Sequence, residues 1–230
     1  MIAAHGCDAA LVFAPDSVSW LLNVRGTDMP QLPVLQSFAL LEADARLTLF
    51  VDPRRLPAGI DAHVGEGVRV LPEADASGAL AAYAGRRVLC DARNASAWIQ
   101  LELSRHGALL VDGADPIQLE KACKNAVELA GTRNAHRRDA VAEIRFLAWL
   151  DREVAAGRLH DEAVLSDTLL SLRQEGEYFH AVSFSTISAA GANAAMCHYN
   201  HANAEPARLT MDSVYLLDSG GQYTDGTTDI

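Results

Sequence analysis

Val214-Tyr-Leu-Leu-Asp-Ser-Gly-Gly-Gln-Tyr-Thr-Asp-Gly-Thr-Thr-Asp-Ile230 combines an apolar run, a glycine-rich segment and two carboxylates, Asp218 and Asp229, eleven positions apart. The apolar run predicts a buried β-strand that ends at Asp218. An unpaired charge at the edge of a buried sheet is unfavourable, so this carboxylate needs a compensating partner. Two facing aspartates repel each other unless a cation lies between them, and oxygen ligands suit hard divalent cations. The segment therefore predicts a metal site.

The hairpin between these aspartates has two possible registers. A loop centred between residues 223 and 224 would place Asp218 directly across from Asp229, with Cβ atoms about 4.5–5.5 Å apart. Asp225-Gly226 is the stronger turn signal, and a two-residue turn there would instead place Asp229 opposite Gln222. A bulge in the preceding glycine-rich segment would reconcile the two registers. The sequence alone leaves the choice between them open.

A second candidate site residue, His198, follows a segment rich in small residues, Ser188-Ala-Ala-Gly-Ala-Asn193. Small residues let the backbone approach a ligand closely, and His198 would line that approach. The alternative is an ordinary surface histidine, like His201. The neighbouring Cys197 is interpreted as a small buried apolar residue. Because the four cysteines are widely spaced, neither a zinc site nor a disulfide framework is expected.

Composition excludes several classes of protein. The chain has 230 residues, half of them apolar, and a net charge of −11, which argues against binding to nucleic acid. No apolar stretch approaches the roughly eighteen residues of a membrane span, and the N-terminus lacks the basic region of a signal peptide. We therefore expect a soluble cytoplasmic protein. The mixed charges between residues 133 and 153 are interpreted as a solvated helix face with intrahelical ion pairs.

The first half of the chain alternates short β-type runs with helical patterns, which is typical of an α/β domain with a mixed sheet. We place this domain at residues 1–114. One short helix is predicted at Pro15–Leu22, and alanine-rich helical stretches are predicted at Ser77–Tyr83 and Ala95–Arg105. The predicted strands are Ala9–Phe13, Val34–Leu41, Arg46–Val51, Val68–Leu71, Arg87–Cys90 and Ala108–Val111.

The second domain is placed at residues 115–230, because Asp115-Pro116 has the N-cap and first-turn proline signature of a new helix. Asn125-Ala-Val-Glu128 resembles a capping box that opens a long amphipathic helix ending near Val154. Gly131 inside this helix indicates close packing. Its predicted apolar face consists of Val141, Ile144, Leu147 and Leu150. A further helix at Glu162–Arg173 and strands at Ala181–Ile187, Ala195–Tyr199 and Ser213–Asp218 follow.

Several further motifs occur in both domains. Those of the second domain are Lys124-Asn125, Glu128, Ala135-His-Arg-Arg-Asp139, Phe146-Leu-Ala-Trp-Leu150, Ser183-Phe-Ser-Thr-Ile-Ser188, Gly191-Ala-Asn-Ala-Ala195, His198-Tyr199, Val214–Tyr223 and Asp225–Ile230. Together they resemble the Xaa-Pro aminopeptidase (aminopeptidase P) family of pita-bread metallopeptidases. Trp20-Leu-Leu-Asn-Val-Arg-Gly26 and Leu49-Phe-Val-Asp-Pro53 match the creatinase-like domain that precedes the catalytic domain in that family, so the resemblance covers essentially the whole chain.

The resemblance implies a fold, a cofactor and a reaction. The first domain would be RNase H-like and contribute to a homodimer, and the second would begin an α+β pita-bread catalytic domain. Asp218 would chelate one metal ion, Asp229 would bridge two, and His198 would line the substrate site. Two divalent ions, manganese by resemblance, would hold a hydroxide that attacks the peptide bond before proline in proline-containing peptides.

The sequence departs from the family pattern because the family's remaining histidine and two glutamate ligands follow the second aspartate, and none follows Asp229 here. We interpret the chain as a partial copy with an incomplete metal site, inactive in isolation. Prolidase would be an alternative activity on this fold, and the aspartate pair argues against a metal-free creatinase. A non-catalytic pita-bread binding module is the alternative from another class.

Overall fold

Residues 2–230 are described in the computed structural model, and the chain divides between Cys123 and Lys124 into two units. The sequence placed this division earlier, at residues 114–115. It falls later because the residues that follow Asp115 pack on the first unit. Ile117 is buried in that unit's core, and Lys121 forms an ion pair with Asp16.

The first unit has a six-stranded mixed sheet in the order β4-β3-β2-β1-β5-β6. Antiparallel pairing joins β1 to β2 and β2 to β3, whereas the other three pairs are parallel. The mixed α/β architecture predicted from the sequence is confirmed. The elements are β1 (Ala9–Val12), α1 (Pro15–Leu22), β2 (Phe38–Glu42), β3 (Leu47–Phe50), α2 (Ile60–Val64), β4 (Val68–Leu71), α3 (Ala76–Leu80), β5 (Arg87–Cys90), α4 (Ala97–Arg105), β6 (Leu109–Asp112) and α5 (Gln118–Ala122).

Both faces of this sheet are buried, because successive side chains of a strand point to opposite faces. Leu11 is paired with Leu40 and belongs to one core, whereas the next pair, Val12 and Ala39, belongs to the other. Burial on both sides explains the nearly continuous apolar strands of this half of the sequence.

The second unit begins with two helices, α6 (Ala126–Ala155) and α7 (Glu162–Gln174). The predicted capping box is confirmed. Asn125 Oδ1 accepts from the Val127 and Glu128 N–H groups at 2.9 and 3.0 Å, and Glu128 Oε2 accepts from the Asn125 N–H at 2.8 Å. These bonds satisfy donors that the first turn of a helix leaves unpaired.

The predicted apolar face of α6 is wrong at three of its four positions, whereas Leu150 packs against the core of the second unit. Val141, Ile144 and Leu147 are 57%, 65% and 53% exposed. The helix instead buries small and aromatic residues together with one acid, Ala135, Asp139, Ala142 and Phe146. A pattern of large apolar residues could not reveal this face, because Asp139 at its centre is charged. The partner of that charge, Arg173, lies in α7.

Two small antiparallel sheets complete the second unit. One has the order β11-β10-β7 and the other pairs β8 with β9. Their strands are β7 (Phe179–Val182), β8 (Ile187–Ala190), β9 (Tyr215–Asp218), β10 (Gly221–Tyr223) and β11 (Gly226–Thr227). A core that includes Phe146, Leu165 and Leu169 joins α6 and α7 to β8.

The predicted strand Ala195–Tyr199 is absent from the described residues. A 3-10 turn occupies Gly191–Ala195, and His198 has a left-handed backbone with φ of 54°. Such a conformation is incompatible with a β-strand. None of the helices within residues 2–230 is long and apolar enough to cross a lipid bilayer.

Candidate metal centre

The β10–β11 hairpin has a register that neither sequence alternative predicted. Gln222 pairs with Thr227 and Tyr223 with Gly226, so Thr224 and Asp225 form the two-residue turn. The prediction that Asp225 is a turn residue is confirmed. The predicted turn centres, one position earlier and one position later, are both wrong.

Contacts with α6 explain why the turn forms at this position. Arg138 pairs with the Asp225 carboxylate and also lies over the rings of Tyr178 and Tyr223. Gly131 meets the turn so closely that a Cβ atom there would lie 2.1 Å from the Asp225 carbonyl oxygen. The close packing predicted for this glycine is therefore confirmed, and its partner is the hairpin turn.

The register continues past the strands and decides how the two candidate ligands face each other. Ser219 and Ile230 exchange two backbone hydrogen bonds of 2.9 Å. Gly220 therefore lies opposite Asp229, and Asp218 is the diagonal neighbour of Asp229 on the same face. Diagonal residues are about 7–8 Å apart, so the predicted direct pairing is wrong by one position on each strand.

The carboxylates of Asp218 and Asp229 are available to a ligand. Asp218 is half-buried at the end of β9, where its backbone pairs with Ile187, and Asp229 is exposed. No residue of the described chain, 2–230, forms a hydrogen bond or ion pair with either carboxylate. Within the same range, no three His, Cys, Asp or Glu side chains converge as a metal-binding group.

A buried ionic cluster, which no pattern in the sequence indicates, lies behind the hairpin. Arg173, 1% exposed, donates to Asp139 Oδ1 at 2.6 Å and to Glu143 Oε1 at 2.8 Å. Asp139 is fully buried and also accepts from Tyr223 Oη at 3.1 Å and from Thr228 Oγ1. The charges of α6 around Asp139 are therefore not simply a solvated face. Burial raises the pKa of the Glu143 carboxyl above its usual value, against the opposing effect of Arg173.

His198 lies on the loop that follows β8, and its side chain is exposed. The loop leaves β8 at Ala190, which pairs with Tyr215, whereas Asp218 pairs with the other end of β8. The structure thus places Asp218 and Asp229 on the two paired segments that flank the β10–β11 hairpin, and His198 on a separate loop. Cys197 is exposed, so its interpretation as a buried apolar residue is wrong.

A buried glutamate, Glu162, holds this loop in place. Its carboxylate accepts from the Ala190 N–H at 2.7 Å, the Tyr199 hydroxyl at 2.8 Å, Asn193 Nδ2 at 2.9 Å and the Ala207 N–H at 2.9 Å. Burial opposes ionisation of Glu162, but these donors outweigh it and leave its pKa below the ordinary value. The sequence signal was ambiguous, because an acid in the first turn of a helix is ordinarily only a favourable partner of the helix dipole.

Two family descriptions match consecutive parts of the chain. Residues 1–128 match the creatinase/prolidase N-terminal domain, and residues 130–230 match metallopeptidase family M24. Among curated proteins, aminopeptidase P1 of Arabidopsis thaliana is 34% identical over 98% of this chain and 42% of its own length. Xaa-Pro aminopeptidase 1 of Dictyostelium discoideum is 35% identical over 98% of this chain and 36% of its own length.

Solved structures give the same result for the fold. The X-prolyl aminopeptidase of Caenorhabditis elegans, described as a cytosolic enzyme with a di-nuclear active site, has a TM-score of 0.90 and 31% identity. The match covers 99% of this chain and 38% of that chain. The Xaa-Pro dipeptidase of Bacillus anthracis has a TM-score of 0.75 at 16% identity, which supports the fold alone.

The chain spans 42% and 36% of the lengths of the first two curated relatives. Its two domain matches follow one another without a gap of more than one residue. These matches show that the chain belongs to the creatinase/prolidase and M24 metallopeptidase family, in which the two curated relatives are named aminopeptidase P1 and Xaa-Pro aminopeptidase 1.

Proposed function

We propose that this chain is part of a metallo-aminopeptidase that releases the N-terminal residue from peptides with proline in second position. The proposal rests on Asp218 and Asp229, which flank the β10–β11 hairpin on either side and whose carboxylates have no hydrogen-bond or ion-pair partner within residues 2–230. They lie in a chain that is 34% and 35% identical to relatives named for this activity.

The two aspartates fit a pair of divalent cations. Carboxylate oxygens are the ligands that manganese and other hard cations prefer. Asp218 and Asp229 have no protein partner within residues 2–230 that would compete for these oxygens. We propose that Asp218 chelates one ion, that Asp229 bridges two, and that the ions are manganese.

The chain's own residues would divide the remaining work. When bound, the cations would lower the pKa of a water and polarise the substrate carbonyl. Asp218 and Asp229 would hold the cations, and His198 would contact the substrate from its exposed loop. Glu162 would act through Tyr199 and Asn193 to hold that loop in its left-handed turn.

Uptake of Mn²⁺ tests the proposed ligands. We expect the chain to deplete the electron paramagnetic resonance signal of free Mn²⁺ weakly, with a dissociation constant of about 10⁻⁴ M or higher, because few ligands converge. Asp218→Asn and Asp229→Asn should each abolish this depletion. Asp212→Asn is the matched control, since Asp212 is exposed in the same part of the chain. Equal uptake by all four proteins would contradict the proposal.

Binding of a peptide tests the role of His198. We expect a tripeptide with proline in second position to shift the nuclear magnetic resonance signals of the His198 ring in the presence of Mn²⁺. The same tripeptide with alanine in second position should shift them less. A His201→Ala variant should retain the response. Loss of the response in that variant would show that it comes from His201, and would contradict the role proposed for His198.

We also propose that the protein is cytosolic, as described for the Caenorhabditis elegans enzyme, and that it forms a homodimer. Cell fractionation checks the first statement and sedimentation equilibrium the second. A monomer at all concentrations would refute the dimer without bearing on the metal site.

A further inference from the structure

We propose that the buried cluster of Arg173, Asp139 and Glu143 is the positioning framework for the two candidate metal ligands. The cluster holds Ser219 and Thr228, which are the chain neighbours of Asp218 and Asp229. This inference rests on the proposed metal site, which it deepens by adding positioning residues.

The cluster contacts both chain segments that flank the β10–β11 hairpin. Between β9 and β10, Ser219 Oγ accepts from Arg173 Nη2 at 3.0 Å and donates to Glu143 Oε1 at 3.1 Å. Immediately after β11, Thr228 Oγ1 donates to Asp139 Oδ2 and accepts from the Gly221 N–H at 2.8 Å. Both Ser219 and Thr228 are completely buried.

Because side chains alternate along an extended chain, the hydrogen bonds of Ser219 and Thr228 to the cluster also affect the direction of the candidate ligands. Neighbouring residues point to opposite faces, so anchoring Ser219 and Thr228 inward directs Asp218 and Asp229 to the other face. Each anchor lies one residue from a candidate ligand. A ligand set needs its carboxylates held close to the productive geometry, and such support comes from residues behind it.

Arg173 is suited to this role because its guanidinium is planar and offers several donors at fixed angles. It contacts both oxygens of Asp139, at 2.6 and 3.3 Å, together with Glu143 and Ser219. A lysine ammonium in the same place would keep the charge but could not make this set of contacts. Arg173→Lys therefore separates geometry from charge.

Two measurements on the full chain test the role of Arg173. The first is amide hydrogen exchange at Ser219 and Thr228, whose N–H groups donate to Ile230 O and Gly221 O. In Arg173→Lys we expect the exchange of these two amides to accelerate about tenfold more than that of the Leu165 amide. Loss of a hydrogen bond to a charged group changes a local opening equilibrium by about this factor. The second is Mn²⁺-induced broadening of the Asp218 and Asp229 amide signals, which should weaken in the variant.

Two controls exclude a purely structural effect. Arg145→Lys makes the same chemical change in an exposed ion pair with Glu175 and should leave both readouts unchanged. Leu169→Ala removes buried apolar volume from the core and should accelerate exchange throughout the unit, without selecting Ser219 and Thr228. Two results in Arg173→Lys alone would support the inference. The Ser219 and Thr228 amides would exchange selectively faster, and Mn²⁺ would broaden the Asp218 and Asp229 amide signals less.

The contrary results are distinct from one another. If Ser219 and Thr228 exchange no faster relative to Leu165 in Arg173→Lys than in the parent chain, the cluster does not anchor the hairpin and the inference is overturned. If the parent chain itself shows no Mn²⁺ broadening at Asp218 and Asp229, the proposed metal site is refuted, and the inference with it. The exchange measurement separates these two failures.

Discussion

Glu162 is fully buried and yet carries a carboxylate whose pKa lies below its usual value, because four donors surround it. Asp139 plays a comparable part behind the hairpin, where it accepts from Arg173, Tyr223 and Thr228. At the scale of single residues, we propose that these two buried acids position the candidate site residues. His198 depends on the first, and Asp218 with Asp229 on the second.

The role of Glu162 predicts a dependence of stability on pH. A carboxyl whose pKa is lower in the folded than in the unfolded state stabilises the fold above the unfolded value, and this stabilisation is lost as the pH falls. Glu162→Gln should therefore reduce the free energy of unfolding by about 1–3 kcal/mol at pH 7, since a buried donor is left unsatisfied. The difference should narrow as the pH falls below the ordinary value of 4.5.

Urea unfolding of the parent and Glu162→Gln chains at several pH values measures this difference. Glu205→Gln is the control, because Glu205 is an exposed glutamate in the same unit. A difference between parent and Glu162→Gln that stays constant from pH 7 to strongly acidic solution would contradict the assigned role.

At the scale of elements, the sequence predicts local structure well and long-range packing poorly. Pro15–Leu22 and the Asn125 capping box depend on neighbouring residues, and both are found as predicted. The buried face of α6 and the hairpin register depend on contacts between Asp139 and Arg173 and between Asp225 and Arg138. These pairs are distant in sequence, and no local pattern encodes them.

In the candidate site, too, the residues could be predicted from local sequence and their arrangement could not. Asp218, Asp229 and His198 could be predicted as site residues, because the motifs that contain them are continuous stretches of sequence. The diagonal placement of Asp218 and Asp229 could not, because the α6 contacts of the turn select the register. Glu162 could not be found either, since its four donors come together only in the folded unit.

The contact between α6 and the turn predicts opposite effects of one substitution at two glycines. Alanine is favoured over glycine in helices by about 1 kcal/mol. At Gly131, however, the new Cβ would lie 2.1 Å from the Asp225 carbonyl oxygen. Gly131→Ala should therefore destabilise the protein by about 1–3 kcal/mol, as overpacking does.

Gly78→Ala in α3 is the matched control, because a Cβ there meets no atom within 4 Å. It should leave the free energy of unfolding unchanged or raise it by up to about 1 kcal/mol. Chemical denaturation of both variants tests the pair. A Gly131→Ala variant at least as stable as Gly78→Ala would show that the turn does not pack on α6 as described.

At the scale of the whole molecule, each unit has its own core, and the family matches follow the same order along the chain. The chain nevertheless spans only 42% and 36% of the lengths of the first two curated relatives. Within residues 2–230, the site contains two carboxylates but no larger metal-binding group. Affinity for metal depends on the number and preorganisation of ligands, so we expect the proposed site to bind metal weakly.

This weakness predicts that the purified chain does not hydrolyse a tripeptide with proline in second position, with or without Mn²⁺. Chromatographic detection of the released N-terminal residue provides the measurement. Arabidopsis thaliana aminopeptidase P1 serves as the positive control for the assay. Robust Mn²⁺-dependent release by this chain would show that two aspartates and the surrounding residues suffice.

Anomalous X-ray scattering from crystals soaked in Mn²⁺ would show whether Asp218 and Asp229 together bind metal, as we propose. We predict anomalous density within coordination distance of both carboxylates, and its loss in Asp229→Asn crystals. Density that contacts only other acids, such as Asp212 or Asp225, or density that persists in Asp229→Asn, would contradict the claim.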